Sequence, residues 1–260
     1  MATVLITGAA GGLGLALQQA FRARGHTVVE TDHRGASHAL DVRDADACRQ
    51  LAIKFRPDVW INNAGVLGSG SAVLQPDEEI RRVIEVNLLG CINGTRAALD
   101  VMSERGTGHI INIGSLGSWV PVPGEAVYGA TKAGVLSYSL ALIGELHAAG
   151  QRGVRVSVVC PDGMLTPMLL KTIEDPHTAM SYSALQLAHP REVADQVVNL
   201  LAKPKFVVSV PRWRGALVRA MSGIPDRLLF LAPIFDSLGK RQQRRVRQQI
   251  RSDSTQSRPA

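Results

Sequence analysis

The chain has 260 residues, 45% of them hydrophobic and 20% charged, which fits one large globular domain or two small ones and excludes a mostly disordered chain. The formal net charge is +7, but 240–251 alone holds six positive residues and no negative one, so the rest of the chain is close to neutral. The charge therefore does not by itself predict a nucleic-acid-binding face.

Short apolar segments rich in valine and isoleucine alternate with longer segments of helical periodicity, a pattern typical of a parallel sheet covered by helices on both faces. The predicted strands are 3–7, 26–32, 38–40, 58–63, 109–114, 155–160 and 205–210. The predicted helices are 12–24, 43–54, 77–104, 126–148 and 190–202. Only nine positions separate Asp32 from Asp41, too few for an ordinary crossover helix, so we expect a loop there.

The segment 211–260 does not continue this alternation and forms a C-terminal extension to the domain 1–210. It mixes large apolar residues with arginines and is predicted to form two short amphipathic helices, broken at Pro225 and Pro233. Its longest uncharged run, 228–235, is much shorter than the roughly 20 residues that span a membrane. The basic tail could be solvated, or could contact an anionic membrane surface or nucleic acid, the last being least favoured.

The cysteines and the amino terminus indicate the compartment. The three cysteines, Cys48, Cys91 and Cys160, are isolated in the sequence, cannot all pair and do not show the spacing of a metal site. The amino terminus runs directly into an apolar strand without the features of a secretory signal. We expect reduced, buried thiols, no metal ion and a cytoplasmic location, with a peripheral membrane contact left open through 211–251.

A glycine-rich segment, TGAAGGLG, joins the first predicted strand to the first predicted helix. In this context Gly8 permits a tight turn, Gly12 lets the backbone approach a pyrophosphate, and Gly14 allows close packing of the helix. The helix N-terminus offers unpaired N–H groups to the anion. The segment therefore predicts a dinucleotide site in a three-layer, doubly wound α/β fold of the Rossmann type, with a mainly parallel seven-stranded sheet.

The end of the second strand bears on the choice of dinucleotide. Asp32 lies eighteen residues after Gly14, where a carboxylate accepts hydrogen bonds from the ribose hydroxyls and repels a 2′-phosphate. This favours NAD. Arg34 follows closely and can hold a phosphate, so NADP stays open.

Six motifs follow one another in an order that resembles the short-chain dehydrogenase/reductase family, over residues 3 to about 210. They are T-G-x-x-x-G-x-G at Thr7 to Gly14, Asp41-Val42, Asn62-Asn63-Ala64-Gly65, Asn87 in VNLLG, Ser115 in INIGS, and Y-x-x-x-K at Tyr128 and Lys132. The resemblance implies an NAD(P)-dependent oxidoreductase acting on an alcohol or a ketone. It also implies cofactor contacts from Thr7, Gly8, Gly12, Leu13, Gly14, Asp32, Asp41, Val42, Asn63, Ala64, Gly65, Tyr128, Lys132, Pro161 and Thr166.

The family resemblance also implies the catalytic set. A tyrosine with a pKa near 10 is a poor base at neutral pH, and a cation at i+4 on the same helix face would stabilise its phenolate. Lys132 is thus expected to lower the pKa of Tyr128, the general acid/base, while Ser115 donates a hydrogen bond to the substrate oxygen. Asn87 is implied to distort its helix and to hold a water in a proton relay.

The chain departs from the family where the sixth strand ends, because Asp162 replaces the glycine of the usual Pro-Gly pair. Substrate is expected to be bound by the lid 164–189 and by the loop after Ser115. Their apolar residues are Met164, Leu165, Met168, Leu169, Leu170, Met180, Tyr182, Leu185, Leu187, Leu116, Trp119, Val120 and Val122. Such side chains suit an apolar, lipid-like or cyclic secondary alcohol or ketone, or could pack on one another beneath a closed lid.

We therefore expect an enzyme that assembles at least as a homodimer, or as a homotetramer, through the long helices 77–104 and 126–148. The alternative is a dinucleotide-sensing scaffold that the basic tail recruits to a membrane or to nucleic acid. The terminal apolar residues could cover the pocket or rest on a bilayer; they include Trp213, Leu217, Met221, Leu228, Leu229, Phe230 and Phe235.

Overall fold

The computed structural model describes residues 1–184 and 186–256, without the side chains of 225–229, 251 and 253–256. Leu185, predicted in the lid, lies outside the described residues, as do the side chains of Leu228 and Leu229. The strands are β1 (Thr3–Thr7), β2 (Thr27–Asp32), β3 (His38–Ala39), β4 (Val59–Asn62), β5 (Gly108–Ile113), β6 (Val154–Pro161) and β7 (Val207–Val210). The α-helices are α1 (Gly12–Ala23), α2 (Ala45–Phe55), α3 (Asp77–Ile84), α4 (Gly90–Arg105), α5 (Ala126–Ala148), α6 (Pro167–Leu170), α7 (Pro190–Ala202), α8 (Arg212–Met221) and α9 (Pro225–Gln256).

The seven strands form one parallel sheet in the order β3-β2-β1-β4-β5-β6-β7. The strand order reverses beside β1, which pairs with β2 on one side and with β4 on the other. In open parallel sheets of this kind, a crevice for ligands forms beyond the carboxyl ends of the strands at that reversal. The predicted doubly wound fold is confirmed, and every predicted strand lies within two residues of its position in the sheet.

Two apolar clusters cover the two faces of the sheet and give the three layers. Leu13, Leu17 and Phe21 of α1 pack with α7 on one face. Helices α2, α4 and α5 cover the other face, where Leu142 and Ile143 of α5 reach the sheet. The predicted loop between β2 and β3 is confirmed, because the chain turns from Asp32 to His38 through bends alone.

Two predicted helices differ from the structure. The segment 77–104 is interrupted by a π-helical turn, Glu85–Leu89, between α3 and α4. The break predicted at Pro225 is present, but the break at Pro233 is wrong, because α9 continues through this proline. Proline removes an N–H and opposes the preceding turn, so contacts further along α9 must hold this helix together.

Helix α9 makes those contacts with the predicted lid, at its 3₁₀ helix Pro176–Tyr182. A Cβ on Gly239 would lie 1.8 Å from the Ala179 carbonyl oxygen, so α9 touches this helix backbone to backbone. The Gln243 Nε2 atom donates to the Asp175 carbonyl at 3.0 Å, and its side chain is 1% exposed. The region of the predicted basic tail is therefore helical and partly buried, and is not an extended solvated segment.

Candidate active site

The glycine-rich segment forms the predicted turn between β1 and α1. Gly8 and Gly12 have φ values of +64° and +51°, which favour glycine. A Cβ on Gly14 would lie 2.2 Å from the Gly8 carbonyl oxygen, so α1 begins directly against the turn. Gly11 precedes α1, whose first N–H groups receive no side-chain cap. Of these, the Gly14 N–H donates to the Gly11 carbonyl at 2.9 Å, which leaves the N–H groups of Gly12 and Leu13 to donate to an anion.

The end of β4 is tied to this turn by hydrogen bonds. The Thr7 Oγ1 atom accepts from the N–H groups of Asn63 and Ala64, both at 3.0 Å. In return, the Asn63 Nδ2 atom donates to the carbonyls of Thr7 and Gly8 at 3.0 and 2.9 Å. These two side chains thus hold β1 and β4 together at the reversal of strand order, which shapes the crevice.

A cavity of about 790 Å³ extends along the carboxyl ends of the strands. The predicted residues that line it are Gly8, Gly12, Leu13, Asp32, Asp41, Val42, Asn63, Ala64, Gly65, Ser115, Tyr128, Lys132, Pro161 and Thr166. Three further predicted residues, Thr7, Gly14 and Asn87, do not line the cavity. One cavity therefore unites the glycine turn with the Tyr-Lys pair, although they are more than a hundred residues apart in sequence.

Asp32 and Asp41 occupy the end of the cavity beside β2. The Asp32 Oδ2 atom accepts from the Ala10 N–H at 3.0 Å, which places this carboxylate against the glycine turn. Asp41 is engaged by Arg43, whose Nε lies 3.0 Å from both carboxylate oxygens. The Arg43 hydrogen bond holds the pKa of Asp41 below its ordinary value. Arg43 also lines the cavity, and our sequence analysis missed it, although its position two residues after an aspartate was a usable signal.

Ser115 and Tyr128 meet on the far side of the cavity. Ser115 lies two residues after the end of β5. Its Oγ accepts a hydrogen bond from the Gly117 N–H at 3.1 Å, which fixes the position of the hydroxyl group. Tyr128 lies in the first turn of α5, and its side chain and that of Ser115 line the same cavity. The strand-end hydroxyl and the helix-start phenol are thus brought to one cavity, and their joint role in catalysis stays a prediction.

Lys132 lies one turn further along α5 and is 6% exposed. Its Nζ donates to the Ile113 carbonyl at 2.9 Å and lies 5.7 Å from the centroid of the Tyr128 ring. Burial, the largest effect, and the charge of Glu125 raise the pKa of Tyr128 above its ordinary value, while burial lowers the pKa of Lys132. In the protein alone, burial therefore has the larger effect on the pKa of Tyr128, and the ammonium group is turned to a backbone carbonyl. The lowering of this pKa by Lys132 with a dinucleotide bound stays a prediction.

Asn87 lies in the π-helical turn, as the expected helix distortion requires, and is 1% exposed. Its Oδ1 accepts from the Val66 N–H at 2.8 Å, and its Nδ2 donates to the Val66 carbonyl at 2.9 Å. A Cβ on Gly65 would lie 3.3 Å from the Asn87 Oδ1 and 3.7 Å from the Lys132 Nζ, so both polar groups flank this glycine. The proton relay through Asn87 stays a prediction.

The lid residues divide into two groups. Met164 and Met168 line the cavity, together with Lys171, which our sequence analysis missed. In contrast, Leu169, Tyr182 and Leu187 pack into a separate apolar cluster with Val246 of α9. Leu116 and Trp119 of the loop after β5 likewise pack against Leu136, Val158 and Cys160. Of the two alternatives, packing of the side chains on one another therefore describes the second group, and a place beside the cavity describes Met164 and Met168.

Comparisons with known proteins agree with this geometry. A family model described as short chain dehydrogenase matches residues 33–177. The chain is 31% identical to "Probable oxidoreductase EphD" of Mycobacterium tuberculosis (strain ATCC 25618 / H37Rv), over 86% of this chain and 43% of EphD, so it spans less than half the length of that relative. It is 34% identical to 3beta-hydroxysteroid dehydrogenase 1 of Eggerthella lenta, over 67% of this chain and 75% of that one. It is 40% identical to NADP-dependent 3-hydroxy acid dehydrogenase YdfG of Salmonella typhimurium, over 78% and 90%.

Solved structures show the same fold. A variant of actinorhodin polyketide ketoreductase with NADPH is 29% identical and superposes with a TM-score of 0.71, over 80% of this chain and 95% of that one. A short chain dehydrogenase/reductase from Burkholderia phymatum in complex with NAD has a TM-score of 0.74 at 22% identity, over 84% and 91%. Both structures hold a nicotinamide dinucleotide, which is NADPH in the ketoreductase and NAD in the Burkholderia protein.

Proposed function

Because the chain belongs to the short-chain dehydrogenase/reductase family, we propose that it is an oxidoreductase that interconverts an apolar secondary alcohol and its ketone. The observation that carries this proposal is the meeting of Ser115, Tyr128 and Lys132 in the same cavity as the glycine turn. A scaffold that only senses a dinucleotide would not need these three side chains beside the cavity.

The residues present fit a nicotinamide dinucleotide. The glycine turn lets backbone approach closely, the start of α1 offers free N–H donors, and Asp32 stands where ribose hydroxyls would be bound. When bound, the nicotinamide supplies the acceptor or donor of the hydride. Asp32 favours NAD, and the exposed Arg34 beside it is the residue through which NADP could also bind.

Each catalytic side chain has one task in this proposal. In the oxidation direction, the Ser115 hydroxyl donates a hydrogen bond to the substrate oxygen and holds it beside Tyr128. The Tyr128 oxygen takes the hydroxyl proton of the alcohol, or gives a proton to the ketone in reduction. Since the pKa of Tyr128 is raised in the protein alone, positive charge must reach the phenolate during turnover. Lys132 is the residue that would supply this charge, and the resemblance implies that its ammonium would also bind the nicotinamide ribose hydroxyls.

The apolar substrate is inferred from the wall of the cavity. Val66, Leu67, Met164 and Met168 line it near the lid, and methionine adapts its shape to irregular apolar ligands. The similarity to a 3beta-hydroxysteroid dehydrogenase supports the same substrate class. A cyclic or lipid-like alcohol would bury its hydrocarbon against these side chains and present its hydroxyl to Ser115.

Substitution of Tyr128 tests the enzymatic proposal. Purified protein should oxidise one or more members of a panel of lipophilic secondary alcohols with NAD, and Tyr128→Phe should lower kcat by about 10³-fold with dinucleotide binding retained. Tyr138→Phe is the matched control, because this second tyrosine of α5 packs against the apolar cluster between α5 and the sheet and does not line the cavity. Equal rates in wild type and Tyr128→Phe would refute the role of Tyr128.

We propose that the protein prefers NAD to NADP, and the kinetics of a variant at Asp32 can test this preference. Asp32→Ala should raise the kcat/KM for NADP relative to that for NAD by at least tenfold, because it removes the carboxylate that repels a 2′-phosphate. Arg34→Ala is the companion variant, and it should lower any use of NADP. A wild-type protein that uses NADP better than NAD would overturn the preference.

We also propose a homodimer through α4 and α5. Helix α5 is long and apolar enough to cross a membrane, yet one side of it packs on the sheet. Leu140, on its other side, is 41% exposed, as is expected of a helix that pairs with a second copy. Sedimentation should show a dimer that Leu140→Glu weakens; an unchanged assembly would exclude this interface.

A peripheral contact with an anionic membrane is proposed for the exposed face of α9. Phe230, Ile234 and Leu238 recur at every fourth position and are 83%, 56% and 41% exposed. Arg241 and Arg245 continue the same helix face at i+3 and i+7 from Leu238, so apolar and basic groups share one surface. Vesicles with phosphatidylglycerol should sediment the wild type and not a Phe230→Glu, Ile234→Glu variant. Ile53→Glu, at an exposed apolar position of α2, is the control.

A further inference from the structure

The end of β6 contains the one clear departure from the family pattern, and the structure shows what accompanies it. Asp162 follows Pro161 and lines the cavity. Its N–H donates to the Val210 carbonyl at 2.9 Å, and its Oδ1 accepts from the Gly163 N–H at 2.9 Å. A glycine at this point could make the backbone bond to Val210, but only the aspartate adds a carboxylate beside the start of the lid.

That carboxylate is paired with an arginine of the C-terminal extension. The Arg214 Nε lies 2.7 Å from the Asp162 Oδ2, and their side chains are only 15% and 10% exposed. Burial raises the pKa of Asp162, and the Arg214 charge lowers it. A buried carboxylate without such a partner is strongly unfavourable, so these two positions depend on each other.

The same guanidinium group also holds the lid. The Arg214 Nη2 donates to the Ser183 Oγ at 2.9 Å, and the Nη1 donates to the Ser183 carbonyl at 3.3 Å. Ser183 ends the 3₁₀ helix of the lid. The end of the lid lies next to its beginning, because the Ala188 N–H donates to the Gly163 carbonyl at 2.9 Å. Both ends of the lid therefore meet at the Asp162–Arg214 pair.

Close packing of α8 brings Arg214 to this position. A Cβ on the adjacent Gly215 would lie 2.0 Å from the Ser209 Cβ, so α8 lies directly on β7. Further along, Val218 of α8 and Trp119 pack against the same apolar cluster, and the Arg219 guanidinium lies 5.8 Å from the centroid of the Trp119 ring. Helix α8 thus contacts both segments that enclose the substrate end of the cavity.

We propose that Arg214 is a positioning residue for substrate: it ties the C-terminal extension to Asp162 and Ser183 and so holds the lid over the cavity. Arg214 does not touch the reacting atoms. It acts through Asp162, at the start of the lid, and through Ser183, near its end. This proposal rests on the proposed function only for its kinetic readout, because the lid itself can be followed without turnover.

The test compares Arg214→Met with Arg214→Lys and with Arg212→Met. Arg212 is the matched control, an exposed arginine of α8 whose Nη2 reaches only the Gln196 Oε1 at 3.4 Å. Arg214→Met should raise the KM for the alcohol about tenfold with kcat changed less than twofold. It should also speed hydrogen exchange of 164–184 at least tenfold without a comparable change in the strands. Arg214→Lys should restore part of both effects, and Arg212→Met should show neither.

The double variant separates the pair from general packing. Since Asp162→Asn already removes the ion pair, adding it to Arg214→Met should raise KM less than the product of the two single effects. Unchanged hydrogen exchange of 164–184 in Arg214→Met, or faster exchange spread evenly over the whole sheet, would overturn the positioning role. If no alcohol is oxidised by the wild type, the proposed function fails while the exchange measurement still decides the role of Arg214.

Discussion

Glu125 should make the free energy of unfolding depend on pH, and the structure predicts both the direction and the size of this effect. It directly precedes α5 and is 2% exposed, and the neighbouring Gly124 lies against the His177 backbone of the lid. No donor among the residues that the structure describes reaches its Oε1 atom. Burial, the largest effect, raises the pKa of Glu125 from 4.5 to about 7; Ser181 opposes this, and the charge of Asp175 adds to it.

The direction of this pH dependence follows from whether the folded or the unfolded protein binds the Glu125 proton more tightly. In the unfolded chain Glu125 ionises near pH 4.5, and in the folded protein near pH 7, so the folded state is favoured at low pH. Stability from this group is lost as the pH rises from about 4.5 to about 7. At 1.36 kcal/mol per pH unit, the full loss is about 3 kcal/mol.

Glu125→Gln keeps the size of the side chain and removes its charge. Urea unfolding at pH 5, 6, 7 and 8 should show the variant gaining stability over wild type as the pH rises, with a difference at pH 8 of up to about 3 kcal/mol above that at pH 5. Glu145→Gln, at an exposed position of α5, is the control and should give a flat difference. A difference for Glu125→Gln that does not change with pH would refute the reasoning.

Three further predictions concern the sheet and the cavity. Burial lowers the pKa of His109 to about 4, so its contribution to stability is lost as the pH falls from 6.5 to 4, and His109→Gln should flatten acid unfolding. Gly14→Ala should weaken the protein by about 3 kcal/mol in urea unfolding, whereas Gly11→Ala, with open space around its Cβ, should cost less than about 1 kcal/mol. Asn87→Ala leaves the Val66 N–H and carbonyl without their partner and should lower the free energy of unfolding by about 1–3 kcal/mol; no change in any of the three would contradict the burial or packing assigned to it.

The parts of the fold that the sequence predicted well are those with short-range determinants. The glycine turn requires positive φ at Gly8 and Gly12, which only a local glycine pattern meets, so the turn and the start of α1 could be located to the residue. The i, i+4 spacing likewise placed Tyr128 and Lys132 on one helix face. The Rossmann arrangement then follows from the alternation of strands and helices.

Contacts between distant segments could not be predicted in the same way. Asp162 was seen as a departure, but its partner Arg214 lies in a region whose pattern predicts only an amphipathic helix. The pKa of Tyr128 was expected to fall because helix spacing shows Lys132 and does not show burial, which has the larger effect. The break at Pro233 was predicted from local propensity, which contacts far away in sequence overrode.

The docking of α9 beneath the lid changes how the end of the chain should be treated in practice. Gln243 and Val246 are buried against the lid, and the Arg247 guanidinium reaches Glu174 at 2.6 Å, although the surrounding sequence has the composition of a disposable tail. A protease that cut after Lys240 would strip these supports and uncover apolar surface next to the substrate cavity. Preparations clipped in this region would then underreport the activity of the intact protein, so mass spectrometry of the purified chain should precede any search for its substrate.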